Sequence, residues 1–249
     1  MKEFFIPCDG VDLHAKLDLP EGKEKCPLVI VIHGFTGHME ERHIVAACQA
    51  MKEIGFATLR AEMYGHGQSG GKFEDHTLYK WVTGALAVVD YAKTLDFVTG
   101  LYLCGHSQGG LLTMLVGGMK ADDFKAIIPL SPAWMIPDGA RQGTLLGQAF
   151  DPAHIPDVVE SWGLRLNGNY IRVAQTLHVE DEIARFSKPV LIVQGDADEA
   201  VPLSYAQKAA ELYADARLVV IPGDTHCFDY HLDQMTDAIK AFLTELEPA

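Results

Sequence analysis

A chain of 249 residues, 48% of them hydrophobic, can bury a large core, and its length suits one α/β domain with an insertion better than two unrelated domains. Lys and Arg number 20 against 34 Asp and Glu, and the resulting net charge of −14 disfavours nucleic acid and anionic membrane surfaces as partners. The opening Met1-Lys2-Glu3-Phe4-Phe5-Ile6-Pro7 lacks the apolar stretch of a secretory signal, and no segment reaches the length that spans a bilayer, so a cytoplasmic protein is expected.

In chain order, Phe4–Cys8 and Val11–Leu17 flank Asp9-Gly10, a hairpin signal, so the chain should open with antiparallel strands. Short apolar runs at Pro27–His33, Ala57–Ala61, Leu101–Cys104, Ala126–Leu130, Pro189–Gln194 and Ala216–Ile221 read as buried parallel strands. Helical patterns at Glu40–Ile54, Leu78–Leu95, Gly109–Met119, Leu203–Tyr213 and Leu232–Leu246 lie between or after them. Alternation of this kind predicts a mostly parallel, doubly wound α/β sheet covered on both faces. It breaks between Ser131 and Phe186, in a stretch rich in Pro, Gly, Trp, Asn and Gln. A loop that long is usually a lid or a binding insertion, so residues 1–249 are expected to form one domain whose lid covers about 132–186.

The run Leu101-Tyr102-Leu103-Cys104-Gly105-His106-Ser107-Gln108-Gly109-Gly110 places a serine on a sharp turn between an apolar strand and a small-residue helix. Such a G-x-S-x-G turn exposes the Ser107 hydroxyl at the end of the strand, as a nucleophile requires. An activated serine also needs a base, a group that orients the base, and amides where the oxyanion forms. All of these should sit at carboxyl ends of strands. His226, in Gly223-Asp224-Thr225-His226 after the last strand, is the expected base. The orienting acid should follow the preceding strand, where Asp196, Asp198 and Glu199 compete. Asp198 is the expected one, because Asp196 lies close enough to the strand to tie up the turn and Glu199 can simply face solvent. Asp224 reads as a turn-capping group. The order Ser, Asp, His is that of α/β-hydrolases. Backbone amides of Phe35, in the turn His33-Gly34-Phe35-Thr36-Gly37-His38, and of Gln108 are the expected oxyanion donors.

Three other patterns compete. Gly65-His66-Gly67-Gln68-Ser69-Gly70 matches the dinucleotide-binding spacing, but Gly71-Lys72-Phe73-Glu74-Asp75-His76 does not continue as an apolar helix, so no cofactor is expected. The eleven histidines show no H-E-x-x-H and no Cys/His pairing, so no metal is expected. Cys8, Cys26, Cys48, Cys104 and Cys227 are odd in number and read as reduced thiols, and neither Cys104 nor Cys227 stands on the nucleophile's turn.

Across almost its whole length the chain resembles the α/β-hydrolase superfamily, and within it the bacterial feruloyl (cinnamoyl) esterases. The resemblance runs through His33-Gly34-Phe35-Thr36-Gly37-His38, Glu62-Met63-Tyr64-Gly65-His66-Gly67, Gly105-His106-Ser107-Gln108-Gly109-Gly110, Pro129-Leu130-Ser131-Pro132 and Gly223-Asp224-Thr225-His226. It implies a serine esterase that hydrolyses hydroxycinnamate esters through an acyl-enzyme, with the insertion roofing the site. By position, Asp138, Gln148 and Tyr170 are the candidates to read the ring hydroxyl, and Trp134 and Trp162 could wall the pocket. The expected partner is a small aromatic ester, and a homodimer is compatible with the sequence. A monoacylglycerol lipase-like serine hydrolase, and a non-catalytic binding protein of the same fold, are the rival readings.

Overall fold

Successive side chains of the central strands are buried on opposite faces, and this decides the layering. The computed structural model describes residues 1–161 and 163–247. β1 (Lys2–Cys8) and β2 (Val11–Asp18) pair antiparallel around Asp9-Gly10, both at positive φ, the turn geometry that matches the twist of a hairpin. There follow β3 (Cys26–Ile32), α1 (Arg42–Glu53), β4 (Ala57–Ala61), α2 (Leu78–Lys93), β5 (Val98–His106), α3 (Gln108–Met119) and β6 (Phe124–Leu130). The insertion contributes α4 (Met135–Gln142), the two-residue strands β7 (Thr144–Leu145) and β8 (Gln148–Ala149), the hairpin β9 (Val158–Ser161) and β10 (Leu164–Asn167), then α5 (Asn169–Gln175) and α6 (Val179–Arg185). The chain ends with β11 (Val190–Gly195), α7 (Leu203–Leu212), β12 (Ala216–Ile221) and α8 (Leu232–Leu246).

Among the described residues the main sheet has eight strands in the order β1-β2-β4-β3-β5-β6-β11-β12. β2 is antiparallel to both neighbours, and every pairing from β4 to β12 is parallel. Leu28, Ile30, Ile32, Leu101, Leu103 and Ile127 pack on the face that carries α2, α3 and the insertion. Val29, Val31, Tyr102, Cys104, Ala126 and Ile128 pack on the other, with residues of α1 and α8. Both faces are apolar, which is why these strands read as continuous hydrophobic runs.

Three elements differ from the sequence reading. β5 extends to His106 because Gly105 and His106 pair with Pro129 and Leu130 of β6, although glycine and histidine carry little strand preference of their own. α1 begins at Arg42, since the backbone amides of Glu40 and Glu41 are taken by the side chain and carbonyl of His38. The insertion, read as an irregular stretch, holds three short helices and two hairpins. Among the described residues no helix is long and apolar enough to cross a membrane.

The strand order fixes where a site can form. The chain moves outward from β3 to β4, then returns to the other side of β3 to lay down β5, so the switch point lies between the carboxyl ends of β3 and β5. Loops leaving an open α/β sheet diverge there and leave a crevice. The Gly34-Phe35 turn and Ser107 stand at those two ends.

Close packing makes the turn after β5 intolerant of any side chain at Gly105. A Cβ there would lie 2.2 Å from the Gly109 carbonyl oxygen and 2.7 Å from Thr113 Oγ1. Gly105→Ala is therefore expected to destabilise the fold by about 1–3 kcal/mol, the usual cost of overpacking, seen as a lower denaturation midpoint with an unchanged m-value. An unshifted midpoint would show that α3 can retreat from β5.

Candidate active site

Ser107 sits at φ 57° and ψ −117°, a left-handed conformation that non-glycine residues adopt only when their surroundings enforce it. The enforcement is visible in the backbone. The Ser107 amide donates to the Leu130 carbonyl at 2.9 Å, and its own carbonyl accepts from Leu111 and Ala133. Gly109 lets α3 close onto β3, since a Cβ there would lie 2.3 Å from the Ile32 carbonyl oxygen. Gly34 stands against the nucleophile from the other side, its hypothetical Cβ 3.2 Å from Ser107 Cβ.

The two expected oxyanion amides are held by different means. Gln108 opens α3, and the first amides of a helix have no intrahelical partner, so its N–H is available at the end of the helix that favours negative charge. The Phe35 amide belongs to the Gly34–Phe35 peptide, whose carbonyl accepts from His33 Nδ1 at 2.8 Å and from the Gly37 amide at 3.1 Å. In a trans peptide the N–H points opposite to the C=O, so anchoring that carbonyl aims the Phe35 N–H the other way. His33 Nε2 accepts from the Met63 amide at 3.0 Å, which sets the ring as a neutral Nδ1–H tautomer. His66 Nε2 binds the Phe35 carbonyl. The run Gly65–Gly70, which has the spacing of a dinucleotide motif, thus braces this turn.

His226 and Asp198 meet as expected. His226 Nδ1 lies 2.8 Å from Asp198 Oδ2, and the carboxylate is buried while the ring stays partly open. Asp198 Oδ1 also accepts from the amides of Ala200 and Val201, which fixes the carboxylate. Asp196 instead accepts from the Gly223 amide at 2.6 Å and ties two loops together. Asp224 is fully buried and accepts from the amides of Thr225, Tyr230 and His231, so it caps the loop that carries the histidine. The His226 carbonyl is held in turn by His106 Nε2 at 2.8 Å and by Ser131 Oγ at 3.2 Å.

Ser107 and His226 face one cavity of about 400 Å³. Phe35, Ala133, Met135, Ile136, Leu146 and Val201 give it apolar walls, and Glu41, Glu199 and Cys227 add polar groups. Leu146 and Gly147, both at positive φ, form the tip of the β7–β8 hairpin and overhang it.

The described residues expected to hold an aromatic ring have partners within the chain. None of Asp138, Gln148, Tyr170 and Trp134 is on the wall of this cavity. Asp138 is engaged by Arg141 at 3.0 Å and by the Tyr205 hydroxyl at 3.1 Å, and Gln148 is exposed on β8. Trp134 is fully buried, with Lys208 over its ring. The Tyr170 ring is also fully buried, 5.5 Å from that of Phe35, and its hydroxyl donates to Gln108 Oε1 at 2.6 Å. It therefore supports Gln108, the neighbour of Ser107, from behind. Trp162 lies outside the described residues. The sequence reading gave no supporting role to His66, His106 or Ser131. His66 and His106 stand beside glycine turns and Ser131 directly follows β6, and nothing in spacing reveals which backbone carbonyl a side chain will reach.

The family model described as serine aminopeptidase, S33 matches residues 23–159, more than half of the chain, and a second described as TAP-like protein matches residues 164–248. The chain belongs to the α/β-hydrolase family. This hydrolase is 60% identical to the chain in a structure described as ferulic acid bound to Est1E from Butyrivibrio proteoclasticus, with 98% of each chain covered and a TM-score of 0.96. A further Est1E structure aligns at 57% identity and a TM-score of 0.93. Mouse alpha/beta hydrolase domain-containing protein 10, at 19% identity and a TM-score of 0.79, shares the fold. Among curated proteins, human ABHD12B is 27% identical over 197 residues, which cover 76% of this chain and 51% of that protein, so this hydrolase spans about half of its length. A monoacylglycerol lipase of Mycolicibacterium smegmatis is 24% identical over 227 residues, covering 80% of each.

Four buried histidines around the site bear on stability. Burial is the main cause that lowers His33 and His76 to about 3, His43 to about 4 and His106 well below the ordinary 6.5. All four are neutral in the folded chain at neutral pH, whereas in the unfolded chain they protonate below about 6.5. The unfolded state thus binds more protons, and stability present above that pH is lost as pH falls towards the folded values, by about 1.4 kcal/mol per pH unit for each histidine. The Tm is expected to hold steady between about pH 7 and 8 and to fall steeply between about pH 6.5 and 4.5 in calorimetry. A flat profile down to about pH 5 would mean that these rings are solvated in the folded state.

Proposed function

We propose that this hydrolase cleaves esters of hydroxycinnamic acids, such as feruloyl esters, through an acyl-enzyme on Ser107. The observation that carries this reading is the full-length, 60% identical match to a structure holding ferulic acid. The cavity agrees with it, having mostly apolar walls and opening onto Ser107. A flat phenylpropenoyl group suits such walls better than a charged acyl chain does. The insertion over 132–186 supplies Ala133, Met135, Ile136 and Leu146 to the wall, which makes it the part of this single domain that shapes the acyl site.

In this reading Ser107 Oγ attacks the ester carbonyl while His226 takes its proton, and Asp198 orients the imidazole and stabilises its protonated form. The amides of Phe35 and Gln108 receive the developing oxyanion, each worth about 2.7–4 kcal/mol of transition-state stabilisation. His226 returns the proton to the departing alcohol, and water then repeats the sequence on the acyl-enzyme to release the acid. The chemistry is completed by side chains and backbone of one chain.

Ser107→Ala is expected to lower kcat by about six orders of magnitude while the protein stays folded. Asp198→Asn should cost about 10⁴ in kcat, whereas Asp196→Asn should act mainly on stability, because its carboxylate holds a loop amide. If Asp196→Asn is the crippling change, the acid has been misassigned. For the substrate class, kcat/KM for methyl ferulate should exceed that for an aliphatic methyl ester of similar size by about tenfold or more. Equal values would favour a general carboxylesterase on the same machinery.

A further inference from the structure

Close to the triad, three side chains of metal-ligating type converge from separate elements: His43 on α1, His106 at the end of β5, and Cys227 next to His226. A ligand atom from each lies within 4.8 Å of the others. Both histidines are inside the protein, at 3% and 2% exposure, and their rings meet edge to face with centroids 4.1 Å apart. Yet His43 Nε2 and His106 Nδ1 have no hydrogen-bond partner among the described residues. Buried ring nitrogens left bare in this way are uncommon. Glu41 Oε2, 3.9 Å from His43 Nε2, is a third buried atom without a hydrogen bond.

The tautomer of His106 is informative. Its Nε2–H donates to the His226 carbonyl at 2.8 Å, so the lone pair resides on the unpartnered Nδ1. An imidazole whose outer N–H is anchored on a backbone carbonyl while the other nitrogen presents a free lone pair has the second-layer arrangement of a metal ligand. Burial keeps both rings neutral near pH 7, so no proton has to leave them before a metal binds. Two imidazole nitrogens and one sulfur match zinc and its neighbours, not magnesium or calcium, which take oxygen ligands.

We propose that His43, His106 and Cys227 form a binding site for a zinc-class divalent cation, with the Glu41 carboxylate or a water as fourth ligand, and that filling it inhibits ester hydrolysis. Binding breaks the Cys227 S–H bond, forms a metal–thiolate bond and releases one proton to solvent. The thiol is protonated beforehand, since burial, with Glu41, Asp229 and Asp198 nearby, pushes it up to about 11. Inhibition follows from position. His106, Cys227 and Glu41 also line the cavity that holds Ser107 and His226, so a bound cation narrows that cavity and ties the His226 loop to β5 and α1. This second half rests on the assignment of Ser107 and His226 as the reacting pair. No spacing motif announces the site because its ligands are distant in sequence, which is why a reading from spacing alone expects no metal.

The test is cobalt(II) titration of the purified protein, a readout independent of activity, followed by displacement with zinc. One cobalt per chain is expected, with tetrahedral ligand-field bands and a sulfur-to-cobalt charge-transfer band. Cys227→Ser should lose the charge-transfer band, and His43→Gln should weaken cobalt binding by about a hundredfold, at least as much as removal of an outer-layer partner does. Zinc should inhibit hydrolysis of p-nitrophenyl acetate in step with occupancy, and His43→Gln should shift that inhibition by the same factor, measured against its own metal-free rate. Absence of a thiolate band in the unaltered protein overturns the site. So does cobalt binding or zinc inhibition that neither substitution changes. Cobalt binding without loss of hydrolysis overturns the inhibitory half, and normal binding by Ser107→Ala protein separates the metal site from the esterase reading.

Discussion

The candidate site depends on how closely α3 approaches the ends of β3 and β5, because that approach both forces Ser107 into its left-handed conformation and brings the Gln108 amide beside the Gly34-Phe35 turn. Backbone meets backbone there with no room for a methyl group. A Cβ on Gly105 would meet the Gly109 carbonyl, and one on Gly109 would meet the carbonyls of Ile32 and His33. The strain at Ser107, of order 1–3 kcal/mol for a non-glycine residue in such a conformation, persists because packing on three sides leaves the chain no alternative. An apolar α3, buried along nearly its whole length, supplies the adhesion that holds the turn shut.

A second layer of the design is polar and built from neutral histidines. His33 aims the Phe35 amide by holding the carbonyl of the same peptide, His66 holds the next carbonyl, and His106 holds that of His226. An imidazole suits this task because it is rigid and can place a donor and an acceptor on opposite edges of one ring. The cost is acid sensitivity, since each ring must stay unprotonated inside the protein.

Much of this was legible in the sequence, and the reasons divide cleanly. Parallel strands leave short, mostly apolar runs, so Ala57–Ala61 and Ala216–Ile221 could be read to the residue even though each carries an arginine. Turns that demand glycine beside a serine are similarly local, and the order of Ser107, Asp198 and His226 follows from strand order. Distance from the strand end separates Asp196, which ties a turn, from Asp198, which reaches across to the neighbouring loop and meets His226. The pocket was another matter. Asp138 is expected to meet a phenolic ring, and its partners within the chain, Arg141 and Tyr205, are fixed by tertiary packing, with Tyr205 on a helix far along the chain. The same holds for Tyr170, whose hydroxyl is claimed by Gln108. A side chain's polarity is written in the sequence, whereas the atom that will satisfy it is decided only when distant segments meet.

The β7–β8 hairpin has a consequence for how this molecule can diversify. Its tip, Leu146-Gly147, overhangs the cavity, yet its two strands pair only with each other and take no place in the main sheet. In the proposed reading, part of the roof over the acyl site thus lies in a stretch of chain separate from Ser107, Asp198 and His226. Exchanging residues 144–149 remodels the roof without touching any hydrogen bond of the Asp198–His226 pair or the packing that strains Ser107. In that reading, a six-residue cassette can alter which acyl groups fit while Ser107, Asp198 and His226 keep their surroundings.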